Sequence, residues 1–222
     1  MTSHDYLNSC VIDRVEGCFI DFEGRADQFP AMIGVLISRQ DHLQFQQHII
    51  DPRLKVLEPS GHRAGEYPRF TPIDSVIDRL PKDLPIYAWS EHEQQLLNKH
   101  IKTTDSKEIP SVVNALRMAR RWRSRLHPEW HPPVGFHGRP AHTQAAYMAK
   151  IRFAVPEKYG ALVTGENLKR IDQAIAAGRD LRTMTKGQRL AWKTVLLHNR
   201  FDCYGLLAIT SRVIRDLESD QS

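Results

Sequence analysis

A short apolar strand that ends in two carboxylates is the feature that most constrains this chain. It is the segment CFIDFEG at residues 18–24. Residues two apart in a strand point to the same face, so Asp21 and Glu23 project together, about 7 Å apart along the backbone, while Phe22 faces the other way. Gly24 leaves the backbone open where a ligand could approach. Two acids this close repel each other, so the segment indicates either a metal site or a strand end with two solvated acids.

The alternation of apolar residues predicts a single α/β domain with a mixed sheet over residues 1–222. Strands are expected at residues 17–23, 31–38, 42–50 and 84–90, the first three as an antiparallel meander. Helices are expected at residues 71–80, 90–101, 110–126, 143–153, 165–177 and 185–217. Thr71 is the expected N-cap of the first helix and Pro72 its first residue. Proline and glycine predict loops at 51–70 and 127–142, the second being an insertion rich in proline and histidine.

The last predicted helix carries further titratable residues on an otherwise apolar stripe. At spacings of three and four, the stripe consists of Ala191, Val195, His198, Asp202, Gly205 and Ile209. A carboxylate on a stripe that faces the core needs a partner. Asp202 is therefore either part of a buried ion pair, with an arginine or with His198, or a third metal-binding carboxylate brought onto the first strand. Asn199 lies one turn before Asp202 on the adjoining side.

A further acid, Glu93, lies where a strand passes into a helix, which is where binding residues collect in α/β folds. The spacing from Ser90 to Glu93 is also that of a capping box, so Glu93 caps the helix, binds a metal, or does both. Together the acids and His198 could cluster at one end of a sheet, where two metal ions would clamp a phosphodiester. Hard oxygen ligands favour Mg²⁺ or Mn²⁺ over zinc.

Composition and charge make some classes of protein less expected, such as membrane proteins, and favour others. With 41% hydrophobic and 26% charged residues, the chain can build a core. No run of about 18 apolar residues is present, so no membrane span is expected, and the first residues do not resemble a signal peptide. Three cysteines without CxxC spacing favour a reducing, cytoplasmic location. The net charge of +5 mildly favours a polyanionic partner.

Two further segments are candidates for contacts with a substrate. Five arginines and Trp122 lie in RMARRWRSR at residues 117–125. Arg117 and Arg121 would grip phosphates and Trp122 would stack on a base of single-stranded nucleic acid, unless the helix is a solvated basic face with Trp122 in the core. The loop 127–142 contains His127, His131, His137 and His142. Because these histidines lie in a loop without nearby cysteines, a substrate-facing lid or plain surface is favoured over zinc.

The segments FIDFEG, SEHE and HNRFD together resemble the three exonuclease motifs of the DEDD superfamily. The similarity is greatest to the bacterial predicted ribonuclease H-like exonucleases, and it covers most of the chain in the order of its elements. It implies a ribonuclease H-like fold, in which three antiparallel strands are followed by parallel strands. It also implies hydrolysis of DNA or RNA from the 3′ end with two Mg²⁺ or Mn²⁺ ions. A helicase or a RecB-type nuclease module is an implied partner.

The resemblance assigns a role to each motif residue. Asp21, Glu23, Glu93 and Asp202 would bind the metals, and His198, with an ordinary imidazole pKa, would orient or deprotonate the attacking water. Asn199 is a further candidate for substrate contact, beside Arg117, Arg121 and Trp122. The middle motif departs from the family pattern, because Glu93 stands where an aspartate is expected, and Asn114 is not counted as a ligand. The alternatives are a catalytically lapsed nucleic-acid-binding or partner-docking domain and a structure-specific endonuclease.

Overall fold

A six-stranded mixed sheet forms the centre of the computed structural model, which describes residues 14–24, 29–40, 42–58, 68–101, 111–135, 141–153 and 163–221. The strands are β1 (Gly17–Glu23), β2 (Met32–Arg39), β3 (His42–Ile49), β4 (Arg69–Phe70), β5 (Ile86–Ala88) and β6 (Val112–Asn114). Their order in the sheet is β4-β3-β2-β1-β5-β6. Strands β1, β2 and β3 are antiparallel neighbours. β5 is parallel to β1 and β6 is parallel to β5, so the antiparallel meander is followed by parallel strands.

Helices cover both faces of this sheet. They are α1 (Ile73–Asp78), α2 (Glu91–Ile101), α3 (Ala115–Leu126), α4 (Gln144–Lys150), α5 (Val163–Ala176) and α6 (Lys186–Ser219), with a 3₁₀ helix at Pro52–Leu57. The 34-residue helix α6 begins with a capping box, in which the Thr185 hydroxyl accepts from the Gln188 N–H and the Gln188 side chain accepts from the Thr185 N–H. This cap fixes the start of the helix that crosses the sheet.

The alternation of β1 separates the two sides of the core. Cys18 and Ile20 pack on one side with apolar residues of α1 and α2, whereas Phe19 packs on the other side with residues of α3, α4 and α6. Since side chains alternate along a strand, Asp21 and Glu23 continue the Phe19 side and point towards α6. The strand pattern of residues 17–23 therefore correctly predicts which way the two acids face.

Several predicted elements differ from the structure. The expected helix 110–126 contains strand β6 before α3 begins at Ala115, and the expected loop 51–70 contains the 3₁₀ helix and strand β4. Thr71 is not the N-cap of α1, because Pro72 occupies that position and no side chain caps the helix. The Thr71 hydroxyl instead lies 3.1 Å from Nδ1 of His48. The loop 127–142 is irregular in its described part, and residues 136–140 lie outside the described residues.

Two expectations from composition can be compared with the structure. Cys18 and Cys203 are buried and free, and burial raises the pKa of the Cys18 thiol to about 12; Cys10 lies outside the described residues. Within the described ranges, no helix combines the length and the apolar character that crossing a bilayer requires.

Candidate metal centre

The end of β1 meets the middle of α6 at a buried cluster of acids around one imidazole. Nδ1 of His198 lies 2.8 Å from Oε1 of Glu23 and 3.0 Å from Oδ2 of Asp202. These three residues each offer a ligand atom, and the atoms all lie within 4.8 Å of one another. The structure therefore brings the early strand and the last helix together, as the apolar stripe on the helix leads one to expect.

Asp21 lies beside this group and is almost fully buried, with 8% of its surface exposed. Burial and the negative charges of Glu23, Asp202 and Glu93 raise its pKa well above the ordinary value for an aspartate. A hydrogen bond of 2.8 Å from Nδ2 of Asn199 to Oδ2 acts in the opposite direction, because it favours the ionised carboxylate. The charges that act most strongly on Asp21 are thus those of other acids.

Glu93 caps its helix and also lies close enough to the other acids to affect their pKa values. Its carboxylate accepts from the Ser90 N–H at 2.7 Å, and the Ser90 hydroxyl accepts from the Glu93 N–H at 3.2 Å, which completes a capping box on α2. Burial, with a contribution from the charge of Asp202, raises the pKa of Glu93 to about 7. The charge of Glu93 in turn raises the pKa of Asp21. The side chain therefore caps its helix and also acts electrostatically on the cluster.

His198 does not have the ordinary imidazole pKa that was expected for it. Burial alone would lower this pKa, but hydrogen bonds to Asp202 and Glu23 and the charges of the same two acids raise it to about 10. Burial raises the pKa of Glu23, and the contact with His198 partly offsets that effect. His198 is consequently an imidazolium at neutral pH in this structure, and it supplies positive charge to the carboxylates.

Three further residues contact the cluster or the adjacent Asn199, and none of them was predicted from the sequence. Nε2 of Gln47 donates to Oδ1 of Asn199 at 2.8 Å, and Nε2 of Gln144 donates to the Asp202 carbonyl at 2.6 Å. The buried Thr164 hydroxyl lies near Glu23, and its interaction with that carboxyl lowers the Glu23 pKa. No motif marks these residues, since they belong to segments that meet only in the folded chain.

Two of the residues expected to contact a substrate lie in the interior instead. Asn199 has no exposed surface, and both of its amide atoms are hydrogen-bonded to protein groups. Trp122 is 1% exposed, and its Nε1 donates to Asp216 at 3.0 Å. Neither side chain faces solvent, which gives no support to a substrate contact by either residue; for Trp122 it agrees with the alternative that this residue lies in the core.

Two arginines that were expected to bind phosphate, Arg117 and Arg121, lie on the exposed face of α3. The Arg121 side chain is exposed, and Arg117 is 70% exposed while it pairs with Glu91 at 3.3 Å. An exposed pair of this length contributes little to stability. Both guanidinium groups can therefore exchange their present surroundings for a phosphate.

The described histidines of the loop 127–142 each have a local partner. The His127 ring packs against Trp122, Nδ1 of His131 lies 3.1 Å from Arg123, and Nδ1 of His142 lies 2.8 Å from the Tyr147 hydroxyl. His137 lies outside the described residues. In the part of the chain that the structure describes, the group suited to a metal is the one formed by Glu23, His198 and Asp202.

Two carboxylates and one imidazole form a donor set that could hold a divalent cation. Burial is the largest cause of the raised pKa values of Asp21 and Glu23, and a bound cation would act in the opposite direction on both. No protein-family model, no curated protein and no solved structure matches this chain. The functional assignment therefore rests on the residues and geometry described above.

Proposed function

We propose that the chain is a metal-dependent nuclease of ribonuclease H-like fold that hydrolyses phosphodiester bonds of DNA or RNA from the 3′ end. The observation that carries this proposal is the meeting of Glu23, His198 and Asp202, with Asp21 and Glu93 beside them. Acids from a strand and two helices converge here although their repulsion destabilises the cluster when they ionise. Ionisable groups that are held together despite their electrostatic repulsion are typical of a functional site.

The arrangement of the sheet supports the same proposal. An antiparallel meander followed by parallel strands is what the resemblance to the exonuclease family implies. The acids of β1 lie at its carboxyl end, and Glu93 follows the carboxyl end of β5, which runs parallel to β1. In open α/β sheets, binding sites lie outside the carboxyl ends of the strands.

The proposed roles of the residues follow from their positions. Asp21, Glu23, Glu93 and Asp202 would hold the cations, which when bound would supply an activated water nucleophile and stabilise charge on the leaving oxygen. His198 holds a proton at Nδ1 between Glu23 and Asp202. It can act as a base only after that proton has left, so its proposed role in catalysis begins with proton release. Ser90 keeps the Glu93 carboxylate oriented from the start of α2.

The proposed substrate follows from charge. Arg117 and Arg121 present exposed guanidinium groups on α3, and the chain carries a net charge of +5. Arginine binds phosphate oxygens through charge-assisted hydrogen bonds. We therefore propose a nucleic-acid strand as the substrate. The resemblance to the exonuclease family adds a helicase or RecB-type nuclease module as a proposed partner, and the cysteine content favours a cytoplasmic setting.

A second candidate function is a nucleic-acid-binding or partner-docking domain that has lost catalysis. The observation that favours it is the capping box, because one oxygen of Glu93 is already hydrogen-bonded to the Ser90 backbone. If Glu93 only caps α2, the middle acid of the resembled motifs is missing. The two candidates differ in whether the purified chain cleaves nucleic acid.

The test uses end-labelled single-stranded DNA and RNA incubated with the purified chain and Mg²⁺, Mn²⁺ or EDTA. The nuclease proposal expects a ladder that shortens from the 3′ end and disappears with EDTA. Asp21→Ala and Asp202→Asn should each abolish the ladder, whereas Asp78→Asn, at an exposed acid on α1, should leave it unchanged. Tight binding of the strand without cleavage would favour the second candidate. Cleavage that survives both site substitutions would exclude this cluster as the catalytic centre.

A further inference from the structure

Three strands place Asp21, a glycine and Gln47 side by side behind the acidic cluster. Gly34 on β2 is the register partner of Asp21 on β1 and of Gln47 on β3. A Cβ atom added at Gly34 would lie 2.2 Å from Oδ1 and 2.8 Å from Cγ of Asn199. The space above Gly34 is thus filled by the Asn199 amide, which α6 inserts between Asp21 and Gln47.

The hydrogen bonds that join Gln47, Asn199 and Asp21 fix the orientation of both side-chain amides. Nε2 of Gln47 donates to the Leu196 carbonyl and to Oδ1 of Asn199, each at 2.8 Å. Nδ2 of Asn199 donates to the Asp21 carbonyl at 3.0 Å and to Oδ2 of Asp21 at 2.8 Å. Backbone carbonyls only accept hydrogen bonds. The Gln47 nitrogen must therefore face Leu196 and Asn199, and the Asn199 nitrogen must face Asp21.

We propose that Asn199 and Gln47 are positioning residues that orient the Asp21 carboxylate for metal binding. This inference rests on the proposed function. Neither residue has to touch the substrate or the reacting atoms, since Asn199 acts through Asp21 and Gln47 acts through Asn199. The Asn199 amide holds Oδ2 of Asp21 in a hydrogen bond, so Oδ1 is the oxygen that would bind a cation. Hydrogen bonds of this kind to a ligating carboxylate typically change metal affinity by about 10–100-fold.

Asn199 has a different environment from the one expected for a residue that contacts a substrate. It lies between His198 and the metal-binding candidate Asp202 in the chain. Its complete burial and its two hydrogen-bonded partners favour an internal role. Gln47 shows no such proximity in sequence, because 152 positions separate it from Asn199.

Substitution of Gln47 by glutamate tests the proposal, because the added charge and the loss of positioning change the metal affinity in opposite directions. The introduced carboxylate would accept from the Asn199 amide, so that Oδ1 rather than Nδ2 of Asn199 would face Asp21 and the hydrogen bond to Oδ2 of Asp21 would be lost. Added negative charge alone would strengthen cation binding, whereas loss of the positioning bond would weaken it. The matched control is Gln46→Glu, which adds the same charge at an exposed neighbour on the opposite face of β3.

The measurement is the Mn²⁺ dissociation constant of the purified full chain, obtained by titration with electron paramagnetic resonance detection of free Mn²⁺. We expect Gln47→Glu to bind Mn²⁺ about tenfold more weakly than the wild type, and Gln46→Glu to bind it equally or more tightly. Gln47→Met, which removes the donor without adding charge, should weaken binding in the same direction. Gln47→Glu also loses the donor to the Leu196 carbonyl, so its melting temperature in EDTA should be lower than that of Gln46→Glu, and the Mn²⁺ titrations are made at a temperature at which both variants are folded.

The outcomes separate this inference from the nuclease proposal. Equal Mn²⁺ affinity of Gln47→Glu and Gln46→Glu would overturn the positioning role while a cleaving wild type would leave the nuclease proposal intact. If Gln47→Glu and Gln47→Met melt at lower temperatures but bind Mn²⁺ with unchanged affinity, Asn199 and Gln47 have only a structural role. That result would also overturn the inference. A wild-type chain that binds no Mn²⁺ would overturn both proposals.

Discussion

Nδ1 of His198 lies 2.8 Å from Oε1 of Glu23, although 175 positions separate the two residues in the chain. This contact joins the end of β1 to the middle of α6, and the same nitrogen lies 3.0 Å from Asp202. An imidazolium in this place partly neutralises two carboxylates that would otherwise repel each other. A proton on His198 and a divalent cation therefore compete for the same acids.

Replacement of His198 by alanine should destabilise the metal-free protein in a pH-dependent way. The folded pKa of His198 is raised from its usual 6.5 to about 10, so its stabilising effect is fully present below pH 6.5 and is lost as the pH rises through 10. We expect a loss of roughly 3 kcal/mol at pH 6.5, and a much smaller loss above pH 10. Thermal melts of both proteins in EDTA across this range would check this. A difference that stays constant with pH would contradict the ion-pair account.

Divalent cations should stabilise the wild type more as the pH rises. Asp21, Glu23 and Glu93 have raised pKa values and His198 holds a proton to about pH 10. Protons therefore leave the cluster when a cation enters it, and the metal affinity increases with pH. We expect the rise in melting temperature caused by ~5 mM Mg²⁺ or Mn²⁺, a concentration well above a micromolar Kd, to be larger at pH 8 than at pH 6. Asp202→Asn should abolish most of this rise.

Glu93→Gln separates the capping role from the metal-binding role. Glutamine keeps an oxygen that can accept from the Ser90 N–H, so the helix cap survives. The folded pKa of Glu93 is raised from 4.5 to about 7, so the stability associated with its protonated form is present below pH 4.5 and is lost as the pH rises through 7. In EDTA, the melting temperature of the variant should exceed that of the wild type above pH 7, with little difference near pH 4.5.

The same variant should lose nuclease activity if Glu93 is a ligand. We expect a rate at least about 100-fold below the wild type with Mg²⁺. Glu91→Gln is the matched control, because Glu91 lies in the same turn of α2 and its side chain is 64% exposed; this variant should keep its activity. Full activity of Glu93→Gln would show that Glu93 is only a cap.

Much of this site could be predicted from local periodicity. The two-residue repeat of β1 places Asp21 and Glu23 on one face, and the helical repeat of α6 places His198 and Asp202 on the side towards the sheet. Both are properties of a single element, so they can be seen without the rest of the fold. The centre of the buried face of α6 lies nearer to Asn199 than expected, since Asn199 has no exposed surface whereas the side chains of His198 and Asp202 are 17% and 19% exposed.

The remaining parts depend on contacts between elements. Gln47 reaches Asn199 only because β2 and β3 pair in one particular register, and Thr164 reaches Glu23 only because α5 packs beside the site. Strand β6 is three residues long and runs directly into α3, so it is hidden within a helical pattern. Arginines lie around the whole of α3, so the sequence does not show which face is apolar, and it leaves Trp122 open between a substrate contact and the core.

Gly34→Ala should disturb the contacts among Asp21, Asn199 and Gln47 beside the acidic cluster. The new Cβ would lie 2.2 Å from Oδ1 of Asn199 and 2.8 Å from Sγ of Cys203, so these buried side chains, or the helix that carries them, must shift. We expect a loss of about 1–3 kcal/mol in the free energy of unfolding, measured by urea denaturation in EDTA. Gly187→Ala, at a site with no atom within 4 Å of the added Cβ, should be neutral or slightly stabilising. Equal stabilities of the two variants would argue against the close approach of Asn199.

Crystals of the protein grown with Mn²⁺ give the most direct test of the central claim, because anomalous scattering locates the metal without reference to activity. We expect an anomalous peak in coordination with the carboxylates of Glu23 and Asp202, with Asp21 at the same centre and His198 no longer hydrogen-bonded to both acids. A well-ordered site in which His198 still bridges Glu23 and Asp202, with no anomalous peak between β1 and α6, would contradict the account.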